Sequence, residues 1–84
     1  MQQVTIYTKE VCPYCVMAKN LLKQKGVTEF DEIRIDLDPV QKHEMIEITG
    51  QWNVPQIFIG TEHVGGFDDL AALSKAGKLD ALLS

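Results

Sequence analysis

Eighty-four residues leave room for one domain, 1–84, and no second. Apolar residues make up 45% and charged residues 24% of the chain, a globular balance with only a modest core to pack. The net charge of -4 argues against a nucleic-acid partner, and no apolar run approaches the roughly 20 residues of a membrane span.

The start, Met1-Gln2-Gln3, has neither the charged region nor the apolar stretch of a signal peptide, so a cytoplasmic location is expected. Val4, Ile6 and Thr8 alternate with Thr5 and Tyr7, which predicts a buried first strand. A helix should follow from Pro13 to about Lys25, with Ala18, Leu21 and Leu22 inward, Lys19, Lys23 and Gln24 in water, and Gly26 as the residue after it. Phe30 to Ile35 reads as a second strand whose start is blurred by Asp31-Glu32.

Asp38-Pro39 opens a second helix: Asp38 caps, Pro39 takes the first helical position, and Gln41 can complete a capping box. Gly50 ends that helix. Val54 to Ile59 reads as a third strand, Gly60-Thr61 as a hairpin turn and Glu62 to Gly65 as a fourth strand. Asp68 and Asp69 should start a third helix with Leu70 and Leu73 inward, ending at Gly77. Leu79, Leu82 and Leu83 form a last short turn against the sheet. The order β-α-β-α-β-β-α predicts an α/β fold: a four-stranded mixed sheet flanked by helices.

The only two cysteines form Cys12-Pro13-Tyr14-Cys15, between a strand and a helix. A C-x-x-C so placed in a small chain reads as a redox pair. A bridge between cysteines three apart closes too short a loop to stabilise the fold much. With Cys12 as N-cap, Pro13 is the first helical residue and the Cys15 N–H points back at the Cys12 sulfur. Cys12 should be the exposed, attacking sulfur and Cys15 the more buried, resolving one. The helix start favours a thiolate there. Lowering a thiol pKa from ~8.5 to ~5 raises the thiolate share at pH 7 about thirtyfold. Reduced nucleophilicity cancels most of that gain, so the larger benefit is an easily departing sulfur. Tetrahedral zinc needs four ligands, and His43 and His63 have no spacing that pairs them with the cysteines.

These residues resemble the dithiol glutaredoxins over the whole chain, and within them the short bacterial glutaredoxin 3-like class. Cys12-Pro13-Tyr14-Cys15 is the active-site string of that family, preceded here by Tyr7-Thr8-Lys9 and Val11; thioredoxins carry CGPC after a tryptophan. Asn53-Val54-Pro55 resembles the family's Thr-Val-Pro motif with its cis proline. Gly65-Gly66-Phe67-Asp68-Asp69 resembles its Gly-Gly-x-Asp stretch.

The resemblance implies a thioredoxin fold. It implies an enzyme that reduces protein disulfides and glutathione mixed disulfides, with glutathione as co-substrate, no tightly bound cofactor and no metal. Val54, turned toward the cysteines by a cis Val54-Pro55 bond, would pair with glutathione as with an added strand. Gly66, Phe67 and the helix start would hold one carboxylate. Asp68 would meet the amine, Lys9 the other carboxylate, and Tyr14 would offer a flat side. Asn53 belongs to the same binding stretch.

Departures are Gln51 and Trp52 where relatives carry a basic or small polar residue, Asn53 for Thr or Ser, and Phe67 for Ser, Cys or Asn. Neutral Gln51 weakens the grip on the glycine carboxylate. Trp52 is either an exposed docking residue or core over the second helix; Met17 and Met45 read as gap-filling core. Expected partners are glutathione and disulfide-containing or glutathionylated proteins, acting on a monomer. One alternative is a thioredoxin-reductase-fed redoxin that donates electrons to ribonucleotide reductase. Another is an iron–sulfur carrier bridged by two glutathiones, for which Pro13 and Cys15 are the wrong residues.

Overall fold

The computed structural model describes residues 1–84. Its elements are β1 (Val4–Thr8), α1 (Pro13–Gln24), β2 (Asp31–Arg34), α2 (Pro39–Thr49), β3 (Gln56–Ile59), β4 (Glu62–Gly65), α3 (Phe67–Lys75) and α4 (Leu79–Leu83). The four strands form one sheet in the order β2-β1-β3-β4. β1 runs parallel to β2 and antiparallel to β3, and β3 pairs antiparallel with β4. The parallel pair is joined through α1 and the antiparallel pair by a hairpin, as strand direction requires.

Alternation along β1 and β3 divides the core. Val4, Ile6, Ile57 and Ile59 pack with Ala18 and Leu22 of α1, Leu70 of α3, and Leu79 and Leu83 of α4. Tyr7 belongs to the other cluster, with Ile35 and Met45 of α2 and with Phe58 at its edge. Fully burying each large aliphatic side chain contributes about 1.5–3 kcal/mol. No helix is long and apolar enough to cross a membrane.

Local signals explain most boundaries. Cys12 caps α1 and Asp38 caps α2 through the Val40 N–H at 3.0 Å. Gly50 ends α2 at φ 69, a left-handed conformation open to glycine at no steric cost.

Several expectations are corrected. β2 begins at Asp31, and Phe30 lies before it, packed on the larger cluster. β3 begins at Gln56, because Val54 and Pro55 form a cis bend ahead of the ladder and proline has no N–H to donate to it. α3 begins at Phe67 with Gly66 as N-cap, one residue ahead of the aspartates. Gln41 makes no side-chain hydrogen bond, so α2 has a simple cap rather than a capping box. Met45 is buried as expected, but Met17 is exposed; it lies one helical step off the Cys15–Ala18–Leu22 stripe.

Polar ties hold the segments that carry the cysteines. Glu32 of β2 accepts from Thr8 Oγ1 at 2.8 Å and from Lys19 Nζ at 3.0 Å, linking β1, β2 and α1. Burial pushes the Glu32 carboxyl up, but the Lys19 and Thr8 bonds outweigh it and the net shift is downward. The loop before Cys12 is tied by the Glu10 N–H, which donates to Asp36 Oδ2 at 3.3 Å.

Asp36 is in turn held by the Arg34 guanidinium, which lowers its carboxyl from 3.8 to about 2. A depressed carboxylate pKa stabilises the fold above the unfolded value and loses that contribution as pH falls through the folded one. Asp36→Asn is therefore expected to lower the urea midpoint at pH 6, with the deficit shrinking as pH falls through about 2 and gone only below it. A deficit that stays constant across this window would show that the carboxylate charge is irrelevant to the tie.

Candidate active site

The Cys12 backbone is extended at φ -134, which ends the β1 loop and starts α1. Its Sγ accepts the Cys15 N–H at 3.2 Å, the capping contact expected from the spacing. The two sulfurs form a disulfide. Cys12 is only 8% exposed and Cys15 2%, so their order matches expectation but Cys12 is far less open than expected. The cause is the bend ahead of β3: the Val54 carbonyl oxygen lies 3.9 Å from Cys12 Sγ and covers it.

Beside this pair lies a cleft of about 440 Å³, a size ordinary for a small-ligand site. The cis Val54-Pro55 segment forms one side of it and the β4–α3 junction the other. Of the predicted binding residues, Tyr14, Asn53, Val54, Pro55, Gly66, Phe67 and Asp68 all line it. They come from three separate segments and meet only in the folded chain. The Tyr14 and Phe67 rings lie 6.1 Å apart, tilted by 33°, at the rim nearest the cysteines. Lys9 does not join the group. It is exposed in the loop ahead of Cys12, outside the cleft lining and in no ion pair.

The two aspartates at α3 divide their duties. Asp69 Oδ2 accepts the Gly66 N–H at 3.0 Å and so caps the helix. That corrects the expectation that the Gly66 N–H is open for a ligand. The Phe67 and Asp68 N–H groups have no partner in the fold, as the first turn of a helix dictates. Asp68 makes no hydrogen bond or ion pair, and its carboxylate is exposed at the cleft. Gly65 permits this junction: its φ is 115, and a Cβ there would overlap the Asp69 carboxylate. Gly65→Ala is expected to cost about 1–3 kcal/mol, read as a lowered melting temperature. An unchanged melting temperature would refute this account of the turn.

Trp52 is 73% exposed rather than folded over α2. His43 pairs with Glu47 at 3.1 Å on α2, and His63 bonds Gln56 at 2.8 Å. Neither imidazole has a hydrogen bond to a cysteine, and no cluster of three or more metal-ligating side chains forms. Gln51, Gln56, His63, Val64, Gly65 and Asp69 also line the cleft. Of these, Gln56, His63 and Val64 were given no part in the site by the sequence. The available signal was a polar residue inside the apolar run Val54-Pro55-Gln56-Ile57-Phe58-Ile59.

A dithiol capping the first helix of a βαβ–hairpin sheet, beside a cleft bounded by a cis-proline bend, defines a thiol–disulfide oxidoreductase on a thioredoxin fold. The glutaredoxin family model matches residues 4–64. A glutaredoxin of Neisseria meningitidis is 56% identical over 84 residues, covering 100% of this chain and 99% of the relative. Glutaredoxin 3 of Escherichia coli is 54% identical over 83 residues and 99% of each chain. Among solved structures, the Brucella melitensis glutaredoxin superposes with a TM-score of 0.85 at 54% identity, over 99% of this chain and 89% of that one. The buckwheat glutaredoxin–glutathione complex gives a TM-score of 0.88 at 30% identity, over 98% of this chain and 76% of that one. The chain belongs to the glutaredoxin family. It is a glutathione-dependent thiol–disulfide oxidoreductase carrying a Cys12–Cys15 dithiol.

Proposed function

We propose that Cys12 is the nucleophile and Cys15 the resolving thiol, in a monomeric, cytoplasmic, one-domain reductant of glutathionylated and disulfide-bonded proteins. The observation that carries this reading is the position of Cys12 Sγ, under the Cys15 N–H and 3.9 Å from the Val54 carbonyl at the cleft. In the reduced protein the Cys12 thiolate attacks the glutathionyl sulfur of a mixed disulfide, and the client protein leaves as a thiolate. A second glutathione thiolate then attacks the same glutathionyl sulfur. Glutathione disulfide departs and the Cys12 thiolate is regenerated. With a protein disulfide, Cys12 first forms a mixed disulfide with the client. The Cys15 thiol, once deprotonated, displaces the client thiolate and closes the Cys12–Cys15 bond. Two glutathiones reopen that bond and leave as their disulfide.

The cleft suits the tripeptide. Val54 offers an unpaired backbone edge to an extended peptide. The open Phe67 and Asp68 N–H groups face a carboxylate and the Asp68 carboxylate faces the adjacent amine, with Tyr14 and Phe67 flanking. Asn53 and Pro55 shape the Val54 edge, and Gly66 keeps the junction small. Lys9 is assigned to the remaining carboxylate from its place in the cysteine loop; its long side chain is free to turn toward a bound ligand. The Cys12–Cys15 disulfide favours the reductase over a cluster carrier, because it engages the sulfur that such a cluster would take. Ribonucleotide reductase remains among the client proteins proposed.

Reduction of a glutathionylated peptide should couple efficiently to glutathione and glutathione reductase, and poorly to thioredoxin reductase. The reverse preference would make the chain a thioredoxin-reductase-fed redoxin instead.

A further inference from the structure

Residues 52–55 form the bend that covers Cys12, and no backbone–backbone hydrogen bond involves any of them. Apart from the long 3.9 Å contact of Cys12 Sγ with the Val54 carbonyl, the hydrogen bonds to this stretch come from one side chain. Gln56 Nε2 donates to the Asn53 carbonyl at 3.0 Å and reaches Asn53 Oδ1 at 3.5 Å. Gln56 is 2% exposed, although it stands at the head of an otherwise apolar strand. A buried amide is costly unless its groups are bonded, so this one calls for a role.

Its orientation is determined. The Asn53 carbonyl can only accept, so the Gln56 NH₂ faces it and Oε1 faces His63. The His63 Nε2 then carries the proton it shares with Oε1 at 2.8 Å. His63 itself is fixed from behind. Its ring stacks on Phe58 with centroids 4.9 Å apart, opposite it across the β3–β4 pair. Phe58 in turn meets Tyr7 edge-on at 6.2 Å, in the cluster shared with Met45 of α2. A rigid path thus runs from the core through Phe58, His63 and Gln56 to the Asn53 carbonyl.

We propose that Gln56, oriented by His63, is a positioning residue that presents the Val54 edge to the peptide part of the substrate. The inference rests on the reading above that an extended peptide pairs with Val54. Gln56 touches neither the sulfurs nor the reacting bond. Its effect is on how well the peptide docks, not on how reactive Cys12 is.

Three readouts test this: kinetics with a glutathionylated peptide, alkylation of reduced Cys12 by iodoacetamide, and melting temperature. Gln56→Leu keeps volume and removes the donor. It should raise KM roughly five- to tenfold, the effect of one lost hydrogen bond, with kcat and alkylation within about twofold of wild type. Gln56→Glu keeps an acceptor for His63 but turns a carboxylate toward a carbonyl, and should raise KM at least as much. His63→Phe keeps the stack on Phe58 and frees the amide to rotate, so a rise of about two- to threefold is expected. Because His63 is exposed, that variant carries the test if Gln56→Leu does not fold. A lowered melting temperature with unchanged KM would make Gln56 purely structural and overturn the proposal. Wild-type protein that reduces a non-peptide disulfide as readily as the glutathionylated peptide would overturn the Val54 pairing itself, and the proposal with it.

Discussion

Cys12→Ser is expected to reduce deglutathionylation to background, while Cys15→Ser retains most of it. A serine hydroxyl at position 12 is un-ionised at neutral pH and forms no mixed disulfide, so neither route can begin. The retention in Cys15→Ser follows from which atom holds Cys12. The 3.2 Å contact to Cys12 Sγ comes from the Cys15 backbone N–H, not from its side chain. Substitution leaves that donor and the helix start in place. What Cys15→Ser loses is intramolecular resolution, so reduction of protein disulfides that need the dithiol route should fall. Placing a hydroxyl in the 2% exposed Cys15 site should also cost about 1–3 kcal/mol of stability. The measurement is steady-state reduction of a glutathionylated peptide by both variants, with melting temperatures alongside. Equal loss in both would remove the monothiol route, and the reverse order would exchange the two assignments.

Asp68→Ala should raise the apparent KM for glutathione or its mixed disulfide by about ten- to a hundredfold. That is the range given by losing a charge-assisted contact of about 1.5–3 kcal/mol. The fold should barely notice, because Asp68 makes no hydrogen bond or ion pair within the chain. Its neighbour supplies the contrast. Asp69 caps α3 through the Gly66 N–H at 3.0 Å, and Asp69→Ala should cost about 1 kcal/mol of stability. The two adjacent variants therefore separate substrate binding from helix capping. An Asp68→Ala protein with wild-type KM and a lowered melting temperature would make Asp68 a structural residue, and would favour the redoxin fed by thioredoxin reductase.

Short-range rules made much of this chain legible. Cys12, Pro13 and Cys15 lie within one helical turn, so their spacing alone dictates a cap, a first helical residue and a backbone N–H aimed at sulfur. The same locality accounts for Asp38-Pro39 at α2 and for the glycines that end α1, α2 and α3. Alternation in β1 and the helical stripe through Ala18 and Leu22 identified the inward faces, because burial follows the period of the backbone. The resemblance in three separated motifs assigns Val54, Pro55, Phe67 and Asp68 to one site although they lie in distant parts of the chain.

What the fold alone decided depends on segments distant in the chain. The cover over Cys12 comes from Val54, forty-two residues away, so no local rule reports that the sulfur is 8% exposed. Choosing between Asp68 and Asp69 as cap required the geometry of the Gly65–Gly66 turn, since either aspartate satisfies the sequence pattern. Trp52 and Met17 turned outward because hydrophobicity states a preference for burial but not the space to receive it. Gln56 was silent in the sequence for a related reason. A glutamine in an apolar strand becomes informative only when a carbonyl from the preceding bend and an imidazole from the next strand converge on its amide. Local hydrogen-bond chemistry determined the helices and the sulfur's environment; long-range packing determined what covers that sulfur and which polar groups stand ready beside it.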